Sequence, residues 1–182
     1  SGKIARQKKA DVYRKKIQDR VMSKLNIEFH PSISKKEKEN ISLFCMKWDE
    51  SFGPEVLDYY PQNDTFFPII QQVGVQLFHS SVAIYGSNGY SQAQGILLRV
   101  EAIDKSAFIY FDSIQTEDVR GGERLFMLAV LAPKINYFES MKINEIFSYI
   151  SPLIKNSQAW DIKSSWQKVC DILTTSNLNF EY

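Results

Sequence analysis

The residues with the clearest capacity for chemistry in this chain lie in DVRGGERLF, residues 118–126, where Arg120 and Arg124 flank the glycine pair Gly121 and Gly122 between two strongly apolar segments. A guanidinium is planar, permanently charged and able to hold two oxygens of a carboxylate or phosphate at once. On a glycine-rich turn it can be carried close to another molecule, because glycine adopts positive φ without penalty and adds no side chain to block the approach. The same letters also make an ordinary solvated turn, whose arginines pair with acids such as Glu117 and Asp118 for little energy. The residue types alone leave both readings open.

Other chemistry is scarce. The two histidines, His30 and His79, lie at no spacing of Cys, His or acid that would hold a metal, so no metal site is expected. His79, in an apolar helical pattern, reads as a structural helix histidine. The sequence contains no GxxxxGK[ST], no GxGxxG after a strand and no GxSxG, which removes the usual grounds for a phosphate cradle, a dinucleotide cofactor or a nucleophile elbow. The acids Asp49, Glu50, Asp58, Asp112, Glu117 and Asp118 fall where turns and strand ends are expected, and solvation accounts for them. No cofactor and no self-contained catalysis are expected.

The elements that must position the arginines follow from hydrophobic spacing. With 182 residues, 44% hydrophobic and 13% aromatic, the chain can bury one substantial core. In residues 3–28, Tyr13, Ile17, Val21 and Leu25 recur every fourth position among lysines and arginines, predicting a basic amphipathic helix. Its stripe is expected to pack on the main domain, with an anionic membrane surface or an acidic partner as alternatives. Residues 29–40 read as a polar linker with Pro31 as a helix stop, residues 41–175 as the main domain, and 176–182 as a tail.

Within the domain, ISLFCMKW and EVLDYYP predict a hairpin. The segment FFPIIQQVGVQLFHSSVAIYG predicts a central helix, capped at Asp64 or Thr65, ended at Gly86, with Ile70, Val73, Leu77 and Ile84 on one face. Three strands follow, QGILLRVEAI, SAFIYFDSI and RLFMLAVLA, then helices near 140–155 and 159–174, the first bent or shortened by Pro152. The result is an α/β (α+β) chain ordered β-β-α-β-β-β-α-α, with a five-stranded, mostly antiparallel sheet covered by helices.

Charge separates the parts. Residues 1–40 hold 12 Lys+Arg against 5 Asp+Glu, while the remaining 142 hold 10 against 16. A nucleic-acid partner is not expected, because the main domain is acidic and no basic strand interleaved with aromatics appears. Cys45 and Cys170 sit in apolar patterns and read as buried free thiols of a reducing compartment, which, with no apolar run of bilayer-crossing length and no signal-peptide pattern, predicts a cytoplasmic protein.

The element order is that of a longin domain, and two motifs sharpen the resemblance. MKWDESFGPEVLDYYP, with Trp48-Asp49, Gly53-Pro54, Val56 and Pro61, resembles the WD…GP first hairpin of the longin domains that open DENN modules. VRGGERLF, with Arg120, Gly121 and Arg124 before the last strand, resembles folliculin and its DENN-type relatives, in which the first arginine is a GTPase-activating finger. The resemblance spans roughly residues 41–175. It implies a regulator that binds a Ras-like small GTPase, with Arg120 as the catalytic finger acting in trans and with Gly121, Gly122, Arg124, Trp48, Asp49, Gly53 and Pro54 as partner-binding residues. It also implies a longin or roadblock protein, or a second copy, as a dimer partner in membrane trafficking, with a location that is cytoplasmic and peripheral at membranes. A non-catalytic adaptor or scaffold is the alternative. The relatives continue into a second DENN portion, which these 182 residues are not expected to hold.

Overall fold

Strands buried on both faces lose the alternation of a half-exposed sheet and become continuous apolar runs. SLFCM, AFIYF and FMLAVLA are such runs, and they form the three inner strands of a five-stranded sheet. The computed structural model describes residues 2–24, 31–85 and 93–175. These fall into two units, Pro31–Thr175 and a second that contains the N-terminal helix α1, Gly2–Lys24.

The larger unit runs β1 (Ser42–Asp49), β2 (Gly53–Tyr60), α2 (Phe67–Tyr85), β3 (Gln94–Val100), β4 (Lys105–Gln115), β5 (Glu123–Ala132), α3 (Tyr137–Lys155) and α4 (Ile162–Thr174). The spatial order is β2-β1-β5-β4-β3, with every neighbouring pair antiparallel. This is the longin-like five-stranded arrangement that the element order predicts.

Period-2 alternation divides the core in two. Leu43, Cys45, Phe108, Tyr110, Leu128 and Val130 face α3 and α4 and pack with Ile143, Phe147, Val169 and Leu173. Phe44, Met46, Ile109, Phe111, Met127 and Ala129 face α2 and pack with Ile70, Val73, Leu77 and Phe78. Gly74 sets how closely α2 approaches: a Cβ there would meet Met46 Sδ at 2.5 Å and Phe44 Cε2 at 3.1 Å. Each large side chain buried this way contributes roughly 1.5–3 kcal/mol. Both cysteines are free and buried, and burial is the main cause that pushes each thiol up to about 12.

Several boundaries differ from the sequence expectation, each for a local reason. α3 starts at Tyr137, because Asn136 and Glu139 form a capping box: the Glu139 amide donates to Asn136 Oδ1 at 2.8 Å and the Asn136 amide to Glu139 Oε1 at 2.9 Å. Pro152 does not cut the helix short, since α3 continues to Lys155. α4 begins only after Asp161, whose carboxylate caps it by accepting from the Lys163 amide at 3.2 Å. In α2, Ile70, Val73 and Leu77 are buried as expected, but Ile84 is 57% exposed. The expected stop at Gly86 lies outside the described residues.

The segment read as linker is anchored within the larger unit. Ile33 is buried, its amide donates to the Leu173 carbonyl at 3.1 Å, and the Ser32 amide and hydroxyl both donate to the Glu139 carboxylate. Glu139 therefore joins the segment before β1 to the start of α3. Replacing it, Glu139→Ala, removes the side-chain half of the capping box and leaves the Ser32 and Asn136 donors without their acceptor, an expected loss of about 2 kcal/mol. Urea unfolding checks this: the midpoint should fall while the slope stays unchanged.

Candidate partner-binding end of the sheet

The two sequence motifs lie about seventy residues apart, and strand pairing brings them to one end of the sheet. β1 pairs with β5 in antiparallel register, with Lys47 opposite Phe126. The end of β1 is therefore level with the start of β5, so the 50–52 turn and the 116–122 loop leave the sheet at the same end.

The first turn is built by its own motif. Asp49 Oδ1 accepts from the Ser51 amide at 2.8 Å and the Phe52 amide at 2.9 Å, closing an Asx-type turn. Gly53 follows at φ +77°, a conformation that favours glycine. Trp48, opposite Pro54, lies on the α2 face, with its ring 6.2 Å from Phe78 in a stacked arrangement and 6.3 Å from His79 edge-on. His79 is exposed and packs against Trp48 as a structural histidine would. Trp48, Asp49, Gly53 and Pro54 thus shape the hairpin, and the residue they hold out is Phe52, 79% exposed at its tip. Sequence reasoning missed Phe52; the available signal was its place between Asp49 and Gly53, which gives it no strand face to pack on.

The second loop is equally defined. The Thr116 amide donates to the Gly122 carbonyl and the Gly122 amide to the Val119 carbonyl, both at 2.9 Å, and the Val119 side chain is buried. Gly121 and Gly122 sit at φ +95° and +77°, and open space surrounds the position a Cβ would take at each. Between the buried Val119 and this glycine pair, Arg120 is exposed. Among the described residues it makes no hydrogen bond and no ion pair.

Arg124 behaves differently. It belongs to β5, opposite Ile114, and alternation places it on the α3 and α4 side, where it is half-buried and its Nε is buried with no hydrogen-bond partner. The pairing that an ordinary solvated turn would make with Glu117 or Asp118 is absent among the described residues: neither acid pairs with Arg124. The start of β5 separates the two arginines, turning Arg120 toward solvent and Arg124 toward the protein.

Asp112 corrects another expectation, that it is a solvated strand-end acid. It is buried within β4, where Oδ2 accepts from the Ser151 hydroxyl at 2.6 Å and lies 2.9 Å from Lys155 Nζ, tying β4 to the end of α3. The signal was its two-residue spacing from the inward-facing Tyr110. No group of three His, Cys, Asp or Glu that would hold a metal occurs among the described residues. A groove of ≈ 420 Å³ between α3 and α4, lined by residues including Tyr149, Leu153, Trp160 and Lys168, contains none of the residues singled out from sequence.

No family model and no curated protein matches the sequence. Among solved structures the chain is similar to the K. lactis Lst4 longin domain, at 12% identity over 76% of this chain and 99% of that one, with a TM-score of 0.39. A likeness of that size carries no argument about function, and the longin-like description stands on the element and strand order given above.

The loop geometry itself is testable. Gly122→Ala meets no steric obstacle, so its cost is the positive φ alone, about 1–2 kcal/mol. Amide exchange at Thr116 should accelerate in that variant, while exchange in the strand centres is unchanged.

Proposed function

We propose that this chain is a longin-type regulator of a Ras-like small GTPase, and that Arg120 is presented to the bound nucleotide as an arginine finger. The observation that supports this reading most is the state of Arg120: exposed and, among the described residues, unpaired, on a loop that is otherwise held by two backbone hydrogen bonds and the buried Val119. A turn that used its arginines for its own stability would pair them with Glu117 or Asp118, and neither arginine is so paired.

The chemistry suits the group. Phosphoryl transfer accumulates charge on oxygens of the transferred γ-phosphoryl and the leaving group, and a planar cation arriving from a partner stabilises it. The loop brings a guanidinium that has no bond to another described residue to lose when it inserts. Gly121 and Gly122 keep the neighbouring backbone free of side chains during the approach. The first hairpin, at the same end of the sheet, adds Phe52 as an apolar contact for the GTPase surface. Arg124, half-buried on the α3 and α4 side, does not enter the nucleotide site. The chain supplies no reaction of its own, and activation occurs only in trans, on cytoplasmic faces of membranes where such GTPases act.

Single-turnover hydrolysis checks the proposal. A cognate Ras-like GTPase should be accelerated roughly 10³–10⁵-fold by the wild-type chain, as arginine fingers do. Arg120→Ala should abolish most of that acceleration with little change in binding, and Arg120→Lys should restore only a small part. Equal acceleration by wild type and Arg120→Ala would remove the finger.

One observation favours a second reading, a non-catalytic adaptor. β2 is an edge strand and Leu57 on it is 55% exposed, a surface on which a second copy, or a longin or roadblock protein, can add a strand. Binding that ignores nucleotide state and is lost on Leu57→Lys would support it over the finger.

A further inference from the structure

Helix α1 takes no part in the GTPase reading, yet it carries the largest net positive charge of the described elements: nine Lys+Arg against two acids over Gly2–Lys24. Considered by itself, it is exposed along nearly its whole described length, including the apolar Ile4, Val12, Tyr13 and Ile17, at 65%, 58%, 67% and 46%. A solvated charged helix has no use for four exposed apolar side chains, and their placement around the helix decides what they can do.

Residues three, four or seven apart share a helix face. Tyr13 and Ile17 are four apart. Lys9 lies four before Tyr13, Lys16 three after it, Arg6 seven before it and Arg20 three after Ile17. These six residues form one face, with an aromatic and an aliphatic side chain between four cations and no acid. Asp11 lies on the other side, in the row of Gln7, Lys8 and Lys15, where it accepts from Gln7 Nε2 at 3.2 Å. Tyr13 and Ile17 are thus set apart from Asp11, which shares its side with Ile4, seven residues before it, and the cations are common to both sides.

We infer that α1 binds an anionic lipid surface through the face of Arg6, Lys9, Tyr13, Lys16, Ile17 and Arg20. Cations near such a surface each gain about 1 kcal/mol, and Tyr and Ile between them enter the headgroup region, where an amphipathic ring with its hydroxyl in water is well accommodated. The mixture of exposed apolar side chains with lysine-dominated charge selects lipid over nucleic acid. A polyphosphate backbone is served by the cations alone and gives no reason for an exposed Ile17. No helix among the described residues is long and apolar enough to cross a membrane, so α1 would lie along the surface.

The face makes the inference testable beyond charge alone. Full-length chain is titrated with vesicles of phosphatidylcholine containing phosphatidylserine, and with phosphatidylcholine alone, at low and physiological salt. Lys9→Glu with Lys16→Glu, on the face, is compared with Lys8→Glu with Lys15→Glu, off it; both pairs change net charge equally. Binding is expected to require phosphatidylserine, to weaken with salt, and to fall at least tenfold further in the first pair than in the second. Tyr13→Ser with Ile17→Ser should weaken it several-fold at unchanged charge. Helix content by circular dichroism in each variant confirms that α1 persists. Equal loss in both charge pairs, indifference to Tyr13 and Ile17, equal binding to neutral vesicles, or no binding at all overturns the inference.

Discussion

The antiparallel pairing of β5 between β1 and β4 is the constraint on which the rest depends. β5 is buried almost throughout, with Phe126 through Ala132 each at most 2% exposed, and it supplies a row of side chains to each of the two cores. Because it runs against β1, its start is level with the end of β1, and two local motifs distant in sequence emerge together. Shifting that register by one residue would exchange the two faces of β5, placing Arg124 and Phe126 under α2 and Met127 under α3. Neither core tolerates the exchange, so the arginine loop is held in place by packing on both sides of the sheet.

That arrangement explains how one short loop separates two arginines. Val119 and the Gly122 hydrogen bonds fix where the loop turns, and β5 begins at Glu123. From there alternation dictates that Arg124 points to the α3 and α4 side, while Arg120 precedes the strand and is subject to no alternation. The exposed arginine and the half-buried one result from where the ladder starts rather than from any difference in residue type.

Much of this was legible in the sequence, because the relevant signals are local. The continuous apolar runs of β1, β4 and β5, the Asp49 and Gly53 turn chemistry, and the glycine pair after Arg120 each act within a few residues, and each formed as its pattern predicts. What escaped depends on partners distant in sequence. Glu139 looks like a surface acid until Ser32 meets it, Asp112 until Ser151 and Lys155 do, and the segment around Ile33 looks like a polar linker until Leu173 provides its hydrogen-bond acceptor. In α1 the helix was legible from its four-residue stripe, of which Tyr13 and Ile17 are exposed within that unit considered by itself, while Val21 and Leu25 have no described side chain.

The central claim is that the exposed Arg120 answers to charge that exists only in the transition state of GTP hydrolysis. Affinity of the chain for a Ras-like GTPase loaded with GDP and aluminium fluoride, against the same GTPase with GDP alone, measures this directly. The account predicts markedly tighter binding to the transition-state mimic, with the preference lost in Arg120→Ala and retained in Lys9→Glu with Lys16→Glu. Equal affinity for both nucleotide states, or a preference that survives Arg120→Ala, would contradict it.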